Sequence, residues 1–316
     1  MKNQPKKLLI CICCFFLLFP NGSAQQKLSG QISISGAFAL YPMAVKWAEE
    51  FRKIHPGVRI DISAGGAGKG IADVLSNMVE IGMVSREIYA EEIKKGAYPI
   101  AVTKDAVVAT ISAQNPALND ILAKGLKKDV ANNIWITGKV KTWGQAFSSK
   151  VNAPIHVYTR SDACGAAEMW AKFFGKKQED LLGVGVFGDP GLAQAVKKDP
   201  LAIGFNNIGY AYDATTRQQI KGLRVVPIDL NGNGKIDADE NFYNSMTEII
   251  AAIASGKYPS PPARDLYFVT KGNPKNNKVL TAFISWVLTE GQKYVHEAGY
   301  IELSNDKISE EKKKLQ

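Results

Sequence analysis

Twelve consecutive residues, DLNGNGKIDADE from Asp229 to Glu240, put oxygen donors at the spacing a hard cation needs. Asp229, Asn231 and Asn233 stand at the first, third and fifth places, Lys235 offers its backbone carbonyl at the seventh, Asp237 takes the ninth, and Glu240 closes the ring as a bidentate carboxylate. Gly234, at the sixth, allows the sharp turn such a loop makes. The spacing predicts a Ca2+ site, although an Asn/Gly-rich surface hairpin has the same composition. A sensor would flank the loop with two helices. Here the lead-in RVVPI reads as a strand, only NFYNSMTEIIAAIASG after it reads as helix, and the sequence holds no second loop to pair with. The expectation is one structural calcium that pins a long connection, of modest affinity because Asn stands twice for Asp, and no catalytic cofactor.

A second set of residues suits an anion. The stretches ISISGAFALYPMAVKWAEEF, VRIDISAGGAGKGIADVL and EIGMVSREI each end an apolar run in a small-residue turn and lead into an amphipathic helix. In that βαβα order, turns at strand C-termini meet helix N-termini, whose free N–H groups and positive dipole ends favour an oxyanion. Nothing comparable points to catalysis. Beyond the leader the only histidines are His55, His156 and His296, without metal-ligand spacing, and a Cys164 to His156 dyad would lack a third member.

These turns need a scaffold of alternating strands and helices. A first α/β segment runs from a strand near Gln31 to about Val107. A second, from about Ala109 to Pro262, has strands at VVATISA, PIHVYT, AIGFN and LRVVPI and helices at ALNDILAKGL, TWGQAF and CGAAEMWAKFFG. After the proline cluster SPPARD, the strand LYFVT and the long helix VLTAFISWVLTEGQKYVHEAG return to the first segment. The predicted fold is α/β with two lobes, 25–107 plus 264–316 and 108–263. Chain crossings near residues 103–110 and 262–270 would form a hinge beside a ligand cleft.

Lys2, Lys6 and Lys7 precede the apolar block LLICICCFFLLF, which is too short to span a bilayer comfortably, and Gly22 and Ala24 supply small residues for cleavage. Residues 1–24 therefore read as a secretory signal peptide and the protein as periplasmic. Only Cys164 then remains, so no intramolecular disulfide is expected. The formal charge of +9 includes the three leader lysines; much of the remainder is dispersed over helix lysines and the KISEEKKKLQ tail, which reads as a solvated, frayed terminus. No basic run interleaves with aromatics, so nucleic acid is not an expected partner.

The ordered motifs SGAFALYPMAVKWAEEF, GGAGKGI, IGMVSRE, YTRSDACGAAEMW, AIGFNNIGYA and YFVTKGNP make the chain resemble the periplasmic phosphate-binding proteins of ATP-binding-cassette importers, over nearly its whole mature length. The resemblance implies a monomeric, non-catalytic protein of type II-like fold that closes over inorganic phosphate and delivers it to an inner-membrane ABC permease. Carried over, the anion would lie near Gly36, Ala37, Phe38 and Ala39, near Gly66, Ala67, Gly68, Lys69 and Gly70, and near Ser85 and Arg86. The other lobe would contribute Arg160, Asp162, Cys164, Gly165 and Ala166. Arg160 suits bidentate pairing to a tetrahedral oxyanion. Asp162 either orients Arg160 or accepts a proton from the ligand, and its proximity in sequence favours the orienting contact.

The departures matter as much. Related proteins often read G-S-D-T, G-S-G-T and S-G-T where this chain has Gly36 to Ala39, Gly66 to Lys69 and Cys164 to Ala166. Losing four hydroxyl bonds to a charged ligand, at about 1.5 to 3 kcal/mol each, removes about 6 to 12 kcal/mol, whereas micromolar affinity is about 8 kcal/mol in all. Backbone amides and the cations Lys69 and Arg86 must compensate, or the ligand is a different anion. Plain structural roles compete at each position: a solvated helix lysine at 69, an N-cap and surface cation at 85 and 86, helix packing for Phe38, Tyr41 and Trp47, and a buried small side chain at Cys164. The alternative function is a calcium-stabilised secreted scaffold or adhesion module.

Overall fold

The computed structural model describes residues 28–316; the leader expected over 1–24 lies outside the described residues. The first lobe opens with β1 (Ser29–Gly36), α1 (Tyr41–Ile54), β2 (Gly57–Ala64), α2 (Ala67–Leu75), β3 (Ile81–Val84) and the short α3 (Ala90–Lys94). α1 forms because Met43, Trp47 and Phe51 recur every fourth residue, with Ala44 and Ala48 beside them on the same buried face. Pro42 sits in its first turn, where the missing N–H leaves no bond unmade. β1 is parallel to both β2 and β3, so the turns after all three strands open at one edge of the sheet.

β4 (Ala97–Ser112) then carries the chain out as a sixteen-residue strand. The second lobe holds α4 (Leu118–Lys124), β5 (Leu126–Lys127), α5 (Lys128–Trp135), α6 (Trp143–Phe147), β6 (His156–Arg160), α7 (Gly165–Phe173), β7 (Val184–Val186), α8 (Gly188–Lys198), β8 (Ala202–Asn207), α9 (Ile208–Ala211), β9 (Leu223–Val225), β10 (Ile228–Asp229) and α10 (Met246–Ala254). β11 (Ala263–Lys271) returns to the first lobe, followed by α11 (Lys278–Val287) and α12 (Asn305–Lys313). The strands follow one path, β2-β1-β3-β11-β4-β8-β6-β7, with β9 also on β4; β10 pairs separately with β5.

The hinge lies within this path. Residues 97–106 of β4 pair antiparallel with β11, whereas residues 107–112 pair with β8 and β9. One strand thus serves two sheets and changes partner between Ala106 and Val107. One apolar core gathers residues 32–102 and 266–315 around Trp47, Phe51 and Phe268. Another gathers residues 107–226 around Trp135, Trp170 and Phe205. A third, under α10, joins Ala106, Ile250, Ala263 and Ile301 at the crossing. Two lobes with two crossing strands is the predicted architecture.

Three expected elements change. α11 stops at Val287, and Thr289 turns its hydroxyl onto the Ser285 carbonyl 2.9 Å away. The following 290–294 turn presents the Gly291 carbonyl to Trp47 Nε1 at 2.8 Å, a packing contact a straight helix would lose. α10 begins only at Met246, where Ser245 accepts from the Glu248 N–H at 3.2 Å. The carbonyl of Tyr243, just before it, is held by Tyr212 at 2.8 Å and Gln219 at 2.7 Å. The C-terminal tail, expected to fray, is instead the docked helix α12. Its Glu311 is 1 % exposed and accepts the Ala101 N–H at 3.1 Å, beside the register shift between β4 and β11.

Candidate functional site

Arg160 ends β6 at the boundary between the lobes, and its surroundings are more acidic than its position in sequence suggests. Asp162 takes Nε at 2.8 Å and Nη2 at 2.6 Å, and Asp189, in the first turn of α8, takes Nη1 at 2.6 Å. Burial disfavours the guanidinium's charge, but Asp189 and then Asp162 outweigh it and hold the pKa above its usual value. Three of five N–H donors are thereby used, leaving two. The expected Arg160 to Asp162 contact is present, and it takes the bidentate edge expected for the ligand.

The first lobe meets this group through its glycine turns. Gly66, at φ +91°, packs so closely that a Cβ there would lie 2.9 Å from both the Ala163 carbonyl and Asp162 Oδ2. Gly68 N–H donates to the Ala163 carbonyl at 3.0 Å. Ser85 lies directly against Gly165, where any Cβ would overlap the Ser85 backbone. Phe38 reaches across the cleft, its ring 5.7 Å from the Arg160 guanidinium carbon and edge-on to Phe187 at 5.9 Å. Tyr210 and Tyr300 hold the carbonyls of Phe38 and Ala39 at 3.1 and 2.8 Å. The N–H groups of Phe38 and Ala39 donate to no other described residue, although Ala39 is only 4 % exposed. A buried N–H without an acceptor is a place for an anion.

Other expected contributors turn elsewhere. Lys69 pairs with Asp73 along its own helix, and Asp73 also accepts from Ser35 at 2.6 Å. Arg86 is buried but faces Glu92, at 2.7 and 2.9 Å, and stacks on Tyr89 at 4.1 Å. These two cations therefore do not make up for the missing hydroxyls. Cys164 is the N-cap of α7, its Sγ accepting from the Ala167 N–H at 3.4 Å, in the place a Ser or Thr oxygen would take. Burial pushes the thiol up to about 12, and His156 is engaged with Asp199 at 2.7 Å. The dyad considered from sequence is not assembled. Gly36, Ala37, Ala67 and Ala166 contribute backbone and close packing.

Four buried polar residues missed in the sequence continue the chain from Arg160 into the hinge. Asp189 accepts from Asn207 Nδ2 at 2.5 Å. Asn207 accepts from Arg264 Nη2, and the same Nη2 lies 3.6 Å from Asp105. Asp105 belongs to β4 and Arg264 to β11, so both crossing strands take part. The available signal was a charged residue inside an apolar run, Asp105 in AVTKDAVVATIS. Burial pushes its carboxyl up to about 6, with Arg264 opposing and Asp189 reinforcing the shift.

The twelve-residue loop is a series of side-chain-capped turns. Asp229 accepts from Gly232 and Gly234 at 2.7 Å each, Asn231 from Asn233 and Asn233 from Lys235 at 3.0 Å each, and Gly234 has φ +85°. Ile236 N–H donates to the Ala123 carbonyl at 2.9 Å, fastening the loop to α4. Glu240 is 3 % exposed and accepts the N–H groups of Leu230, Asn231 and Asp237. Asp237 takes both Asn amides and Lys235. Among the described residues no three His, Cys, Asp or Glu side chains converge as a metal cluster.

The fold agrees with comparisons to known proteins. A family model described as a PBP superfamily domain matches residues 21–290. The chain belongs to the PBP superfamily. Among curated relatives of this PBP-superfamily protein, the phosphate-binding protein PstS of Methanocaldococcus jannaschii is 26 % identical over 310 residues, covering 83 % of this chain and 79 % of that protein. PstS of Bacillus subtilis is 29 % identical over 207 residues, covering 65 % and 66 %. A solved Clostridium perfringens protein with phosphate bound superposes with a TM-score of 0.69 at 23 % identity, over 87 % of this chain and all of that one. That likeness shows the two-lobed fold. No helix among the described residues is long and apolar enough to cross a membrane.

Proposed function

We propose that this protein is an extracytoplasmic solute-binding protein that captures a small tetrahedral oxyanion, phosphate, between its lobes and delivers it to an ABC importer. The observation that carries the reading is the pair of N–H groups of Phe38 and Ala39, without an acceptor among the described residues, in the turn whose Phe38 ring lies 5.7 Å from the guanidinium carbon of the buried Arg160 of the other lobe. The names of the relatives point the same way. Asp162 and Asp189 give the arginine group a local charge of −1. That charge favours an anion carrying a proton it can donate to a carboxylate, which phosphate has and sulfate lacks near neutral pH. Calorimetric titration of ligand-stripped protein with phosphate, arsenate, sulfate and molybdate tests this. Phosphate and arsenate should bind, and Arg160→Ala should weaken them at least tenfold, on the ground that one charged contact exceeds ~1.4 kcal/mol. Silence across the panel would mean that the fold serves another ligand.

The loop from Asp229 to Glu240 supports a second role, a structural Ca2+ site. Its donor set suits a hard cation, and the turns at Gly232 and Gly234, both bonded to Asp229, support the reading. Asp229, Asn231, Asn233, Asp237, Glu240 and the Lys235 carbonyl would hold the ion, once Glu240 and Asp237 exchange N–H donors for metal. The ion would brace the connection between β10 and α10.

A further inference from the structure

We propose that the second lobe carries a separate binding site for a small hydroxylated anion, a polyol bearing a carboxylate or a phosphate ester. A cavity of about 730 Å3, well within the range of small-molecule sites, opens between α4, β9 and the segment that leads into α10. It lies away from the cleft. Arg224 on β9 pairs with Ile111 of β4, whereas Val107, at the hinge end of the same strand, pairs with Asn207. That separation is about 13 Å of strand, and none of the residues placed around Arg160 lines the cavity.

Among the described residues Arg224 is the only charged group in the lining. It is half-buried, and its one hydrogen bond there runs from Nη1 to the neighbouring Leu223 carbonyl at 2.8 Å, with no carboxylate paired to it among the described residues. Four of its five N–H donors are left for a ligand, and the planar guanidinium can offer two of them side by side to one carboxylate or phosphate. Around it stand the side-chain amides of Asn119, Gln218, Asn241 and Asn244. Those of Asn119 and Gln218 are exposed and bonded to no other described residue, and Asn244 gives one bond to Asn241 at 3.2 Å. An amide both donates and accepts, as a hydroxyl does, so these groups match a row of hydroxyls while the arginine holds the charge.

The walls are set before any ligand arrives. Gln219 ties two of them together, its Nε2 donating to the Tyr243 carbonyl at 2.7 Å and its Oε1 accepting the Val225 N–H at 3.0 Å. Tyr243 is buried, and its hydroxyl accepts the Ile228 N–H at 3.2 Å. Walls already in place spare a ligand the cost of ordering them. Leu122 and Pro227 give the cavity an apolar side against which the carbon chain of a polyol can lie. The lining thus fits a ligand with a single charged group whose remaining surface is hydroxyl and C–H. Inorganic phosphate would leave most of the amides unused.

The test is calorimetric titration of the full protein with gluconate, with glycerol phosphate and, as an uncharged control, with sorbitol. At least one of the two anions should bind about tenfold more tightly than sorbitol, and Arg224→Ala should weaken it by about tenfold or more. Which anion does so identifies the carboxylate or the ester. If Arg224→Ala does not fold, the double variant Asn119→Ala/Gln218→Ala, whose side chains are exposed, must weaken the same event. Binding of neither anion overturns the site, as does binding unchanged by these substitutions or sorbitol bound as tightly as the anions. Failure of the cleft reading looks different, since it shows in the titration with inorganic phosphate and leaves the Arg224-dependent event intact.

Discussion

Arg160 Nη1 and Asp189 Oδ2 lie 2.6 Å apart, with the two residues 4 % and 1 % exposed. The pair joins the strand that faces the cleft to the helix behind it, and through Asn207 to the hinge. Breaking a buried pair from one side leaves an uncompensated charge, typically at a cost of about 3–5 kcal/mol. Asp189→Ala should lower unfolding free energy by that order in urea titration. A loss below about 1 kcal/mol would show that Asp162 alone satisfies the guanidinium.

Closure depends on Gly66 having no side chain. Gly66→Ala combines a left-handed φ of +91° with a Cβ 2.9 Å from the Ala163 carbonyl, so the first lobe must withdraw. Phosphate affinity should fall at least tenfold, or by more than ~1.4 kcal/mol, and the ligand-dependent decrease in radius of gyration by small-angle scattering should disappear. Undiminished compaction would place the lobe contact elsewhere.

Cys164 should be inert in the native protein. Its thiol is held protonated by burial, at about 12, and reactivity requires the thiolate. Iodoacetamide at about pH 8 should leave the folded protein unmodified and alkylate it once unfolded. Rapid native labelling would contradict the buried capping role.

Asp105 gives a defined pH dependence. Its folded pKa, about 6, stands above the ordinary 3.8, so the protonated form is the one the fold favours. Its contribution is therefore complete below about pH 4 and is lost as pH rises through about 6. Wild type should lose stability relative to Asp105→Asn across that window, by about 2–3 kcal/mol for a shift of about two units. Parallel denaturation curves from about pH 4 to about pH 7 would assign the shift to no real group.

Calcium should raise the melting temperature of the wild-type protein, and Glu240→Ala should abolish that rise, because Glu240 would be the bidentate ligand of the proposed site. A rise that persists in the variant would move the metal site away from Asp229 to Glu240.

The sequence by itself determined the alternation of strands and helices, the glycine turns at strand ends and the return of the chain to its first lobe. These are local matters of periodicity and turn chemistry, readable in Met43, Trp47 and Phe51 or in Gly66. The turns of the loop at Asp229 were equally legible, since its twelve residues are contiguous. Only the tertiary structure decided how charge is spent. Lys69 and Arg86 look like anion ligands in sequence, but Asp73 and Glu92 are nearer partners and claim them. Asp189 and Arg264 lie 29 and 104 positions from Arg160 in sequence, and no local pattern announces that one will bind it and the other will continue its network into the hinge. The physical reason is that a buried charge takes whichever complementary groups folding brings within hydrogen-bond distance, and sequence spacing does not encode that distance.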